Sequence, residues 1–161
     1  MSVNDSSPHI FVLPEDKANR DVANGFLLQI DTRQVQVLPS AGGWMRVLEK
    51  FENEYINTMS GNLHRNVVLL IDFDGKKDRR DEVQKIIPDS ISDRVFLIGA
   101  LTKPEDIRKS GLGTFEEIGR KLADDCRGNT TVAWNHELLK HNAEELTRMM
   151  TTLRPILFPQ T

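Results

Sequence analysis

Two aspartates stand two residues apart in the segment LLIDFDG, as Asp72 and Asp74, directly after the most apolar run of the chain. In extended backbone, residues i and i+2 project to the same side. Two carboxylates on one side of a strand end suit Mg²⁺ (or Mn²⁺), which is held by a few carboxylates and keeps several waters. Glu15, in FVLPEDK, follows another apolar run. If the two runs are neighbouring strands, Glu15 faces the same ion. A carboxylate crowded by others is pushed toward a higher pKa, which suits it to proton transfer. Glu15 is therefore the candidate general acid/base, and Glu15, Asp72 and Asp74 are the candidate metal ligands. An Asp at a strand end also serves as a turn residue or helix cap. The D-x-D spacing and the third acid favour a site.

Other residues near these acids carry weaker signals. Ser40-Ala41-Gly42-Gly43 precedes a helical pattern. Gly42 and Gly43 could cradle a cofactor phosphate on backbone N–H groups, a tight turn being the alternative. Lys76, Lys77, Arg79 and Arg80 form a basic run beside the acidic pair. Such a run is either a solvated loop or a grip on nucleic-acid phosphates. His136 and His141 are five apart, not at the i, i+4 spacing that pairs two zinc ligands on a helix, and read as surface polar residues. Cys126 and Tyr55 lie on apolar helix faces and read as core.

These residues need elements to position them. Apolar runs at 9–13, 34–38, 66–71 and 94–98 read as strands, the third apolar on both faces as in a central parallel strand. Helical spacing marks 19–30, 44–59 and 79–87, a turn at 104–109, and 114–127 with Thr114 as cap. The last helix is expected over 135–153, with Asn135 as cap and Leu139, Ala143, Leu146, Met150 and Leu153 inward. Strands alternating with helices pair in parallel through right-handed crossovers. The expected fold is α/β, a four-stranded, mainly parallel sheet sandwiched by helices in three layers, with two C-terminal helices. Ligands in such sheets bind beyond the carboxyl ends of the strands, where Glu15, the Gly-Gly loop and Asp72-Phe73-Asp74 would converge.

Composition bounds the rest. The 161 residues are 39% hydrophobic and 28% charged, which suits one globular domain over 1–161. Basic residues number 21 against 24 acidic, net −3, so a general electrostatic nucleic-acid binder is not expected. A single cysteine excludes an intrachain disulfide and four-cysteine zinc sites. The opening MSVNDSSPHI has no basic and apolar leader pattern, and no apolar stretch is long enough to span a bilayer. A cytoplasmic protein without membrane association is expected.

An early strand ending in Glu15, a strand–Gly-Gly–helix unit (VLPSAGGW) and an apolar strand ending in D-x-D together resemble the Toprim domain. That domain is shared by topoisomerases, bacterial primases, OLD-family nucleases and small ribosomal RNA maturases. The resemblance covers about residues 9–100, leaving 101–161 as a C-terminal helical part of the same domain. It implies a Rossmann-like core, Glu15 as general acid/base, Asp72 and Asp74 as Mg²⁺ ligands, and phosphodiester chemistry on DNA or RNA. Where the family usually has Glu-Gly, this chain has Glu15-Asp16. Two alternatives remain. One is a non-catalytic Toprim-like module that binds nucleic acid, a protein partner or a second copy of itself. The other is a receiver-like signalling domain with Asp72 as phosphate acceptor, which needs a fifth strand preceded by a lysine.

Overall fold

The computed structural model describes residues 3–76 and 78–159. Four strands, β1 (His9–Pro14), β2 (Val35–Val37), β3 (Arg65–Leu70) and β4 (Val95–Ile98), form one sheet in the order β2-β1-β3-β4. Every pairing is parallel. The strand pleat sorts alternate residues into two cores. Ile10, Val68, Phe96 and Ile98 face one way, toward α1 (Lys17–Leu27), α5 (Pro104–Ile107), α6 (Phe115–Gly128) and α7 (Ala143–Leu157). Leu13, Val67, Leu69, Val95 and Leu97 face the other. There they meet α2 (Trp44–Lys50), α3 (Ile56–Gly61) and α4 (Arg79–Gln84). Helices thus cover both faces, as the apolar strands require.

The expected helix over 44–59 is interrupted. A wide turn, Phe51–Tyr55, joins α2 to α3. It absorbs one residue of helical phase, and Phe51 and Met59 are both fully buried. On the opposite face α1 and α6 approach closely through two glycines. A Cβ on Gly25 would lie 2.1 Å from the Glu116 carbonyl oxygen, and one on Gly119 would lie 1.9 Å from that of Val22. Thr114 caps α6 as expected, in a reciprocal capping box with Glu117. Cys126 is buried in this layer, with its thiol pushed up to about 11 by burial. The same layer borders an apolar cavity of about 110 Å³ that is partly open to solvent.

The C-terminal third departs from the expected helix over 135–153. Residues 131–142 run as successive turns, and α7 begins at Ala143 and continues to Leu157, with Pro155 in its last turn. The buried carboxylate of Asp125 causes this. It accepts the Thr130 hydroxyl at 2.7 Å and the backbone N–H groups of Ala133 at 2.7 Å and Trp134 at 3.2 Å. These bonds tie residues 130–134 back to the end of α6 and hold the chain in turns there. Of the residues expected inward, Leu139 and Leu153 are buried and Leu146 and Met150 pack half-buried against the core, while Ala143 is exposed; Met149 and Leu157 are buried as well. His136 and His141 precede the helix, and both are half-buried rather than on the surface.

After β4 the described residues contain no further strand. Side chains take the edge instead. The Glu145 carboxylate accepts the Leu97 N–H at 2.8 Å, and Arg148 donates to the Val95 carbonyl at 2.6 Å. Arg80 donates to the Leu97 carbonyl at 3.1 Å. The Asn142 amide accepts the Gly99 N–H at 3.3 Å and donates to the Gly99 carbonyl at 2.9 Å. Asn142→Leu keeps the volume but strands both Gly99 groups in the interior, so a loss of about 2–4 kcal/mol in urea unfolding is expected. A loss below about 0.5 kcal/mol would show that the edge does not need this residue.

Candidate functional site

β1 and β3 run side by side to Pro14↔Leu70, and the last backbone bond between them is Glu15 N–H to the Leu70 carbonyl at 2.9 Å. Beyond it the chain turns into α1, whose N-cap is Asp16. The Glu15 carboxylate then accepts the Asp72 N–H at 2.7 Å. Asn19, one turn into α1, donates to both acids, to Asp16 at 2.9 Å and to Asp72 at 3.0 Å. Glu15, Asp16 and Asp72 thus meet at the carboxyl edge of the two central strands.

Asp74 does not follow the extended geometry expected of the D-x-D pair. Residues 71–73 remain laddered to the segment after β4, through Ile71 N–H to the Ile98 carbonyl and Phe73 N–H to the Ala100 carbonyl. The chain then reverses at Asp74 and Gly75, both left-handed, with φ of 51° and 74°. Asp72 is 4% exposed while the Asp74 side chain is 51% exposed. The Asp74 carboxylate accepts from Arg79 Nη1 at 2.7 Å. The same nitrogen donates to the Asp72 carbonyl at 2.8 Å. The guanidinium lies over the Trp44 ring, 4.1 Å from its centre. Among the described residues, no three His, Cys, Asp or Glu side chains are grouped closely enough to hold a metal ion.

The Gly-Gly loop is also committed internally. Gly42 and Gly43 have φ of 91° and 131°, backbone that favours glycine, and both N–H groups donate to the Glu15 carbonyl, at 2.9 and 3.0 Å. They hold Glu15 in place and are not an open phosphate cradle. The basic run divides. Lys76 is exposed, and Lys77 lies outside the described residues. Arg79 is buried in the site, and Arg80 joins the β4 edge, where it also pairs with Glu145 at 3.5 Å. One buried and one half-buried guanidinium group replace the expected surface patch, because carbonyls and carboxylates at the ends of β3 and β4 demand donors. His141 packs edge-on against Phe73 at 4.8 Å, and burial, with the Arg80 charge, holds its pKa down at about 4. Tyr55 packs against Phe11 at 5.9 Å, away from this edge.

Electrostatics mark the acids. Burial pushes the Asp72 carboxyl up to about 8, assisted by the charges of Glu15, Asp16 and Asp74 and opposed by the Asn19 hydrogen bond. Glu15 is raised as well, by burial and by Asp16 and Asp74, against the Asp72 N–H and Arg79. Sequence reasoning missed Asn19 and the role of Arg79. Asn19 was visible as the one polar residue in an otherwise apolar stripe with Val22, Ala23 and Phe26.

Comparisons of the chain with protein-family models, with curated proteins and with solved structures give no match.

The raised Asp72 makes stability depend on pH. Its pKa is higher in the folded protein than in the unfolded chain, so folding retains a proton. That contribution is fully present below the unfolded value of about 3.9 and is lost as pH rises through about 8. Asp72→Asn, a neutral isostere, should therefore gain on the wild type as pH increases, by a few kcal/mol, levelling off above pH about 8. Urea unfolding from pH 4 to 9 reads this difference, and a pH-independent gap would mean that Asp72 is ionised throughout.

Proposed function

We propose that this edge performs Mg²⁺- or Mn²⁺-dependent phosphodiester chemistry on nucleic acid, as the resemblance to the Toprim domain implies. The observation that carries the reading is the buried Asp72 carboxyl, raised to about 8 beside a raised Glu15 at the carboxyl edge of the sheet. Carboxylates that repel one another form a site short of positive charge, and the oxygen-only donor set suits a hard divalent cation. Asp72 and Asp74 would hold the ion, which supplies neutralisation of charge on the phosphate. Release of Asp74 by Arg79 is then required. Glu15, held by Gly42, Gly43 and Asp72 N–H, would move the proton at its carboxylate. Arg79, once free of Asp74, would offer its charge to a substrate phosphate.

One observation favours the other reading, a non-catalytic module. Arg79 already neutralises Asp74, and Arg80 is turned into the β4 edge, so neither offers a surface grip on a nucleic-acid backbone. Cleavage of labelled single- and double-stranded DNA and RNA with Mg²⁺ or Mn²⁺ decides between them. On the catalytic reading, Asp72→Ala loses both Mn²⁺-induced thermal stabilisation and cleavage. Glu15→Gln keeps most of the metal response but loses about 10²-fold or more in rate. Cleavage at the wild-type rate in Glu15→Gln would reject the role given to Glu15. No cleavage of any substrate, with no Mn²⁺ response, would leave the binding module.

A further inference from the structure

We infer that the cavity between the sheet and the α1–α6–α7 layer is a binding site for a small, neutral, apolar molecule, the size of an aromatic ring or a short branched alkane. This inference does not rest on the phosphodiester reading. The cavity measures about 110 Å³, and natural cores hold few voids larger than a water molecule. Its walls are aliphatic and aromatic side chains from all four strands and four helices, with Asn19 the only amide. The Asn19 amide hydrogens are already given to Asp16 and Asp72, and the Trp134 indole N–H to the Leu122 carbonyl. A water needs two to four polar partners to stay in such a space, and this wall does not offer them. A charged or phosphorylated ligand would face the same deficit at greater cost. An apolar cavity of about 150 Å³ is enough to bind benzene or xenon. A peptide segment or a second copy of the chain is excluded by the same volume. The half-buried wall residues include Val22, Phe26 and Leu27 of α1 and Val35 and Val37 of β2. Entry is therefore expected between α1 and the β2 edge, where the cover is thinnest.

Benzene is the probe. Titrated into the full chain, it should raise the melting temperature by about 3 °C near saturation. It should also give nuclear Overhauser contacts to the methyl groups of Ala23, Val68 and Leu122. Ala23→Leu fills the space, so it should abolish these contacts. Val68→Ile adds one carbon and should weaken benzene binding about threefold or more, which keeps the test open if Ala23→Leu fails to fold. The inference is overturned if wild type shows neither the thermal shift nor the contacts. It is equally overturned if binding persists unchanged in Val68→Ile or survives in a folded Ala23→Leu.

Discussion

Where β1 leaves the sheet, the amide of Asp72 would lose its partner in the interior, and the Glu15 carboxylate accepts it at 2.7 Å. A buried amide left unpaired costs about 1–3 kcal/mol, and a buried carboxylate left unpaired costs more. Each group thus answers the other's need. The same residue ties in two further segments. Its carbonyl receives Gly42 and Gly43, which fixes the loop leading into α2, and the next residue, Asp16, caps α1. Movement of Glu15 would loosen the β1–β3 junction, the Gly-Gly loop and the start of α1 together. An acid suited to chemistry is therefore also a structural joint, and rigid placement of such a group is what a reactive site requires.

The outer strand β4 poses a second problem of unpaired backbone. It is apolar and buried on both faces, yet among the described residues no strand pairs with its side away from β3. An open edge of this kind invites pairing with another chain. Asn142, the residue before α7, and Glu145 and Arg148 of α7 follow at three-residue spacing, and α4 supplies Arg80. Together they replace a fifth strand, so the sheet ends at four without a free edge on this side. The arrangement explains why the basic residues after Asp74 turn inward. Arg79 and Arg80 sit on consecutive positions at the start of a helix, and one serves the acids while the other serves the strand edge.

The layers were legible because two unambiguous periods ran through the sequence. Alternate residues of β1, β3 and β4 are apolar on both faces, and the helices between them carry three- and four-residue spacing. What sequence reading lost was placed by single polar groups reaching five or more residues along the chain, outside helical and strand spacing. Residues 135–142 have helical spacing, but the Asp125 carboxylate draws the chain into turns just before them. The D-x-D pair was expected to share one side, but Asp74 enters left-handed backbone that Arg79 stabilises by an ion pair. The Gly-Gly loop was read as a phosphate cradle or a tight turn, and its N–H groups serve the Glu15 carbonyl just beyond β1. None of these partners is a sequence neighbour, so no local pattern could announce them, whereas the acid pair at the two strand ends followed from topology alone.

The charge balance of the edge shows what the site lacks. Four carboxylates, Glu15, Asp16, Asp72 and Asp74, act on one another, and the Arg79 guanidinium is the cation bonded among them. A proton on Asp72 relieves part of the excess below pH about 8. Under the proposed reading a divalent cation would relieve the same excess, so proton and metal compete for one deficit, and the metal gains as the proton leaves. Arg79 is the third competitor, already seated on Asp74 and stacked on Trp44. Its position sets the order of events. The acids can be brought together around an ion only as the guanidinium lets go of Asp74, and the freed charge then stands beside the edge where a phosphate would arrive. On that reading the arginine that holds the site closed also offsets its like charges, and the site would open when a ligand supplies the positive charge that replaces it.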